Sequence, residues 1–185
     1  MPRKRAASPR TSKKDTLKRC TWCAGDPILE PYHDTEWGVS ERNDNRLFER
    51  MALQIFQAGL NWKMILGKRQ AFRKAFHNFD IIKVARFDGR SVKRLMSDES
   101  IIRNRRKIEA VIENARRLQR VRQEFGSFHN YIKTRPSKLK PLQKEFKERF
   151  VFMGPEITRM FVMNIGKVQP AHEKRCFRYG EAQAW

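Results

Sequence analysis

Four residues of this chain have the types and spacing to hold a metal ion. Cys20 is followed thirteen residues later by His33, and near the other end His172 and Cys176 sit four apart. Residues at i and i+4 share a helix face, so the second pair can point at one ion. Two thiolates and two imidazoles are a common tetrahedral zinc set, and a closed set of four is structural rather than catalytic. Such an ion would tie one end of the domain to the other. Cys23 is a rival ligand, because Cys20-x-x-Cys23 is itself a metal spacing, and spacing alone does not choose between them. With three cysteines, an odd number, a disulfide framework is not expected. His77 and His129 have no partner at ligand spacing and read as ordinary surface or core histidines.

A second chemistry is written in the charge. Forty-one Lys and Arg stand against twenty Asp and Glu, a formal +21. Such an excess repels itself, and a polyanion relieves it. Nucleic acid is the usual polyanion, since each phosphate neutralised releases a condensed counterion. Residues 1–19 hold eight of the cations, one Asp and almost nothing to bury, which predicts a disordered basic arm before a single domain over 20–185. Nothing approaches the ~20 apolar residues of a membrane span. There is no apolar signal-peptide core either, so the expected location is cytoplasmic and DNA-associated, or nuclear or organellar in a eukaryote.

The elements that must position these residues are helical. Leu47, Phe48, Met51, Ala52, Ile55 and Phe56 recur at three- and four-residue intervals, with Asp44 as the expected cap. Phe72, Ala75, Phe76 and Phe79 mark a second helix, and Val92, Leu95 and Met96 a short third. The cleanest stripe runs through Ile108, Val111, Ile112, Ala115, Leu118 and Val121. Phe128, Tyr131 and Ile132 suggest a turn or two before Pro136. Ile157, Met160, Phe161, Asn164 and Ile165 make a last helix, stopped by Gly166. No segment alternates at period two, so the fold class is all-α. At Gly154-Pro155, glycine permits a tight turn and proline suits the first helical position. A helix start of that kind presents backbone N–H groups that welcome a phosphate.

Taken together, Cys20-Thr21-Trp22, Asp26-Pro27, Tyr32-His33-Asp34-Thr35-Glu36-Trp37-Gly38, Gln57-Ala58-Gly59-Leu60-Asn61-Trp62, Ile101-Ile102-Arg103-Asn104-Arg105-x-Lys107-Ile108 and His172-x-x-x-Cys176 run in order from Cys20 to about Tyr179. In these strings the chain resembles the type I 3-methyladenine DNA glycosylases. The resemblance implies a helix-hairpin-helix fold with a structural zinc held by Cys20, His33, His172 and Cys176, leaving Cys23 out, and a hairpin at about Phe152–Glu156. It implies a base pocket lined by Trp22, Tyr32 and Trp62, since aromatic walls suit a flat cationic ring.

Two positions depart from the family. Gln54 stands where the family carries a glutamate, and Leu29 where it carries a tyrosine. Gln54 is the residue expected at the catalytic and base-reading position. A neutral amide can accept from adenine N6–H and donate to N7, but has no charge with which to favour a cationic base. Nor does Val168-Gln169-Pro170-Ala171 offer the aspartate other helix-hairpin-helix glycosylases use, although the type I family is not thought to rely on it. Asn61 reads as a helix-end residue, and Asp34 and Glu36 as hydrogen-bonding supports for a ligand histidine. Gly154, Pro155, Arg103, Arg105 and Lys107, with Arg106 between, are the expected phosphate contacts.

The function this implies is excision of alkylated adenine, chiefly 3-methyladenine, from duplex DNA by a monomer. The alternatives are a zinc-containing DNA-binding homologue that has lost excision and, on charge alone, an RNA- or chromatin-associated zinc module.

Overall fold

The computed structural model describes residues 17–181 and Trp185. The basic arm expected over 1–19 lies outside the described residues as far as residue 16. Arg19, grouped with that arm, belongs to the fold, because its guanidinium donates to both carboxylate oxygens of Asp34 at 2.8–3.1 Å.

The described residues form helices and turns and no strand. In chain order the helices are α1 (Leu29–Thr35), α2 (Asp44–Gln57), α3 (Trp62–Gly67), α4 (Arg69–Ala75), α5 (Ile81–Ala85), α6 (Gly89–Ser97), α7 (Arg105–Phe125), α8 (Phe128–Lys133), α9 (Leu139–Arg149) and α10 (Pro155–Asn164).

The rest is built around α2. Its sequence carries one apolar stripe, yet every residue from Leu47 to Phe56 is buried. A helix covered on all sides lies at the centre of its bundle. Two charges in that run are tolerated because both are paired. Glu49 accepts from Arg69 Nε at 2.5 Å and Arg73 Nε at 2.9 Å, and Arg50 donates to the Val39 carbonyl at 2.7 Å. Breaking a buried pair costs about 3–5 kcal/mol, so these bonds also fix where α4 sits on α2.

The cap of α2 is Asn43 rather than Asp44. Asn43 Oδ1 accepts from the N–H of Asn45 and Arg46. The Asp44 carboxylate instead accepts from the N–H of Phe128 and His129, each at 3.0 Å, and so holds the start of α8. The second expected helix is broken: α4 ends at Ala75 and a 3-10 turn, His77–Phe79, follows with positive φ at all three residues. The chain must reverse there so that Asp80 can cap α5. The phenylalanine stripe survives the break, with Phe76 stacked on Phe79 at 5.5 Å.

The long α7 packs on α2, α5, α6 and α8 along the expected stripe. Its buried Asn114 also reaches the other end of the fold. That side chain exchanges two hydrogen bonds with the Val151 backbone, at 2.8 and 2.9 Å. In this way α7 pins the turn between α9 and α10. Sequence periodicity missed α9, since only Leu142 and Phe146 are buried on it and Pro141 falls inside it. Proline is tolerated there because first-turn N–H groups have no intrahelical partner. In the turn the left-handed residue is Phe152 (φ 64) and Gly154 is extended (φ −65, ψ 173). Gly154 thus leaves the start of α10 bare instead of relieving strain, and a Cβ on it would meet nothing within 4 Å. At the far end, α10 stops at Gly166 as expected (φ 68), with Lys167 N–H bonding back to the Val162 carbonyl at 2.8 Å.

Lys107 corrects an expectation. It is buried, and its ammonium donates to the Phe56 and Ala58 carbonyls at 2.8 and 2.6 Å. A cation at a helix C-terminus satisfies orphan carbonyls and complements the dipole. It closes the end of α2 and is not available to phosphate. Arg103 and Arg105 are exposed, each beside a glutamate four residues away. Lys107→Met should therefore cost about 2–3 kcal/mol of unfolding free energy, while Arg103→Ala and Arg105→Ala stay within about 0.5 kcal/mol. Urea denaturation of the three variants measures this, and a Lys107 variant as stable as wild type would refute it.

Candidate functional site: a metal clasp beside an aromatic hollow

Cys20, His33, His172 and Cys176 converge, all buried, with their ligand atoms within 4.8 Å of one another. His33 Nε2 lies 3.1 Å from His172 Nδ1 and 3.3 Å from Cys176 Sγ. His172 Nδ1 lies 3.7 Å from Cys20 Sγ and 3.8 Å from Cys176 Sγ. A tetrahedral ion with bonds of about 2.0–2.3 Å sets donor–donor edges near 3.3–3.8 Å, and these four separations, 3.1–3.8 Å, are close to that size. The expectation that His172 and Cys176 share a helix face is not met. Both lie in a run of turns after α10, where Cys176 N–H bonds to the Glu173 carbonyl at 2.8 Å. The turn delivers the convergence.

The surroundings prepare the four donors. His33 Nδ1 is 2.9 Å from Asp34 Oδ1, and His172 Nε2 is 3.1 Å from the Trp37 carbonyl. Each outer nitrogen thus has an acceptor for its proton, which leaves the inner nitrogen a lone pair directed at the cluster. Backbone N–H groups of Glu173 and Arg178 point at the sulfurs of Cys20 and Cys176, at 3.3 and 3.4 Å. Burial pushes the Cys20 thiol up to about 11 and the His172 imidazole down to about 4. A cation among these donors reverses that preference for thiols, because thiolate is the form that binds. Cys23 stays outside the set. It is buried, bonds to the Cys20 carbonyl at 3.2 Å, and burial lifts it to about 12.

Beside the clasp opens a hollow of about 480 Å³, within the usual size range of small-molecule sites. Three indoles wall it, Trp22, Trp37 and Trp62, with Met160 and Met163 of α10 opposite. Trp22 and Trp37 lie 5.6 Å apart, edge to face. Tyr32 is one ring deeper, 5.4 Å from Trp62 and 6.3 Å from Trp22. Its hydroxyl accepts from the Asn164 amide, which leaves its own proton to give, and burial pushes that phenol well up. Turn residues hold the rings in place. Asp26 forms the turn leading into α1, accepting from the N–H of Ile28 and Leu29, and Asn61 caps α3, accepting from Lys63 N–H at 2.8 Å.

Among the described residues, the buried side-chain atoms without a hydrogen-bond partner are both amide atoms of Gln54, Trp62 Nε1 and Asn164 Oδ1. The elements carrying them meet: α2 packs on α3 and on α10. Each unpaired buried group costs about 1–3 kcal/mol, so these four atoms are places where a ligand or water would complete the bonding.

The model of the methyladenine glycosylase family matches residues 22–149. This chain belongs to that family. It is similar to DNA-3-methyladenine glycosylase 1 of Escherichia coli K12, 38% identical over 172 residues, covering 82% of this chain and 92% of that one. A solved 3-methyladenine DNA glycosylase I superposes with a TM-score of 0.80 at 35% identity, over 88% of this chain and all of the other. The Staphylococcus aureus 3-methyladenine DNA glycosylase I, whose structure describes 3-methyladenine recognition, gives 0.80 at 29% identity over 89% and 98%.

Among the residues expected to form the family's site, Trp22, Tyr32 and Trp62 come together, although Tyr32 and Gln54 do not line the open hollow. Gln54 is 1% exposed on α2. Leu29 packs against the three cysteines. Asp34 supports a clasp histidine as expected, whereas Glu36 pairs with Arg69 and Arg50 and braces α4 instead. His77 and His129 are ordinary, the first exposed and the second stacked on Trp185. Sequence reading missed Trp37, which joins clasp to hollow. Its indole donates to the Ala171 carbonyl at 2.7 Å while its own carbonyl faces His172. It stood in the Tyr-His-Asp-x-Glu-Trp-Gly string, and that position was the available signal.

Gly38 follows Trp37 with φ +75, and a Cβ on it would sit 2.8 Å from His172 Nε2. Gly38→Ala should therefore lose about 2–4 kcal/mol, from the left-handed backbone and the clash together. Thermal unfolding against wild type reads the loss, and an unchanged midpoint would contradict the geometry.

Proposed function

We propose that this chain is a DNA base-excision glycosylase that hydrolyses the N-glycosidic bond of alkylated adenine, chiefly 3-methyladenine, in duplex DNA. The observation that carries the reading is the hollow walled by Trp22, Trp37 and Trp62 with Tyr32 behind it, in a member of the methyladenine glycosylase family. Methylation at N3 makes the base a cation and a ready leaving group, so the protein's task is to hold the unstacked ring and admit water to the sugar carbon. Indole faces hold a flat cation by stacking and cation–π attraction. The Gln54 amide, buried with neither atom paired, is the base-reading group: bonds to an adenine edge recover its desolvation cost.

The clasp is assigned to a structural zinc ion on Cys20, His33, His172 and Cys176, a closed two-thiolate, two-imidazole set. The ion supplies cross-linking of the chain ends and takes no part in hydrolysis. Support comes from the donor separations, the acceptors on both outer imidazole nitrogens and the N–H groups on both sulfurs. The unit α9–turn–α10 is read as the helix-hairpin-helix, with Gly154 and Pro155 offering bare N–H groups to a phosphate. Arg103 and Arg105 are assigned to flanking phosphates, since surface ion pairs are weak enough to be exchanged. The enzyme is taken to act as a DNA-associated monomer. No described helix is long and apolar enough to cross a membrane.

A DNA-binding homologue that has lost excision is the competing reading, favoured by the neutral Gln54. Single-turnover release of free base from methylated duplex DNA decides: release above the uncatalysed rate supports the enzyme, and its absence the alternative. Gln54→Glu should sharpen discrimination between 3-methyladenine and adenine, by about tenfold or more for one carboxylate beside a buried cation. Equal handling of both bases by that variant and wild type would sink the assignment of Gln54. For the clasp, Cys176→Ser or His172→Ala should bring zinc far below one ion per chain and lower thermal stability. Full zinc content in both variants would refute the ligand set.

A further inference from the structure

Gln54 reads an edge but carries no charge, so discrimination of a cationic ring needs a charge elsewhere. Among the residues lining the hollow, the ionised side chains are Arg159 and Glu173. Arg159 is already answered, since its guanidinium donates twice to the Glu156 carboxylate, at 2.6 and 2.9 Å. Glu173 is not. Its exposed carboxylate accepts from Thr21 N–H at 3.0 and 3.1 Å and from Thr21 Oγ1 at 2.7 Å, and no ion pair among the described residues holds it. The chain has twice as many cations as acids, yet the acid that lines the hollow has none beside it. Most acids of the described surface are paired, from Glu30 with Arg19 to Glu181 with Arg178.

We infer that Glu173 is the charge-selecting residue of the hollow: its fixed carboxylate is the counter-charge to a cationic alkylated purine. This rests on the reading of the hollow as a base site and adds to it a residue that acts on the ring's charge rather than on its edge. The position is built for the task. Thr21 lies beside Trp22 and Glu173 beside His172, so the Thr21–Glu173 bonds join the two segments that form one wall. The Glu173 N–H meanwhile points at Cys20 Sγ. The clasp thus sets the carboxylate's position, and Thr21 sets its rotamer. Two donors of Thr21, its N–H shared between both carboxylate oxygens and its hydroxyl, stabilise the anion where it stands, and the indole faces around it attract the same cation. Selection is then divided: aromatic faces and Glu173 sense charge, and Gln54 senses the pattern of donors and acceptors.

The test uses two rings of nearly equal shape, 3,9-dimethyladeninium, which is permanently cationic, and neutral 9-methyladenine. Binding to the full-length, metal-loaded protein is followed by quenching of tryptophan fluorescence. Wild type should prefer the cation at a fixed ionic strength. Glu173→Gln should reduce the cation-to-neutral affinity ratio by roughly fivefold, the scale of one charge pair in a partly aqueous dielectric. Thr21→Val, which keeps the carboxylate but removes one of its fixing bonds, should reduce it by a smaller factor. Metal content measured on each variant separates this effect from damage to the neighbouring clasp. An unchanged ratio in metal-replete Glu173→Gln overturns the assignment of Glu173 and leaves the proposed excision standing. Failure of wild type to release base from methylated DNA, with the ratio still dependent on Glu173, overturns the excision reading alone. If wild type binds neither ring, the charge-selecting role of Glu173 falls, and base release from methylated DNA alone decides the excision reading.

Discussion

Cys20 and His172 are 152 residues apart in sequence and 3.7 Å apart in space, and the hollow exists because of that proximity. Its walls come from five stretches of chain: the loop holding Trp22, the turn holding Trp37, the segment from Gln57 to Trp62, α10, and the turns after α10. Closing so long a loop is entropically costly, although the cost grows only slowly with length. The meeting of Cys20, His33, His172 and Cys176 at the closure point brings the Trp22 loop against the turns after α10, and Trp37 carries that constraint inward by bonding to both Ala171 and His172.

Seen from that constraint, the polar groups of the fold have distinct duties. Buried charges on α2 are matched so that the central helix can be covered on every side. Lys107 closes the end of that helix just before the turn leading to Trp62. Asn114 holds the α9–α10 turn from the far side of the core. Against this background of satisfied groups, the unpaired atoms of Gln54, Trp62 and Asn164 stand out. A native core leaves few such groups, and those it leaves tend to sit where a ligand or water completes them.

Much of this was legible in the chain. The stripe of α7 runs along one exposed-to-buried helix, so periodicity reads it directly. The clasp residues were legible as types, but spacing could not choose between Cys23 and the set that converges, because the choice is made by three-dimensional closure. It also gave a wrong reason for His172 and Cys176, whose meeting is arranged by turns and not by helical geometry. Asp44 has the chemistry of a cap, but its carboxylate serves the first N–H groups of α8, whose own cap is Ser127; that partner lies 84 residues away and no local pattern announces it. Lys107 was misread for a similar reason: a basic run looks solvated until a tertiary contact buries one member. The short helices α1, α3 and α5 are too brief for periodicity, and α9 buries too little to stand out. Glu173 and Trp37 lay beside recognised residues, and their importance comes from what the fold brings against them.

The bidentate grip of Arg19 on Asp34, which in turn steadies His33, has a practical consequence for handling the protein. Phe177 N–H also bonds to the Lys18 carbonyl at 2.8 Å, so the two chain ends are zipped together just outside the cysteines. A shortened version that discards the cationic leader should therefore begin upstream of Lys18. A cleavage one or two positions further on removes Arg19 and leaves the Asp34 carboxylate, which faces His33, without the guanidinium that holds it.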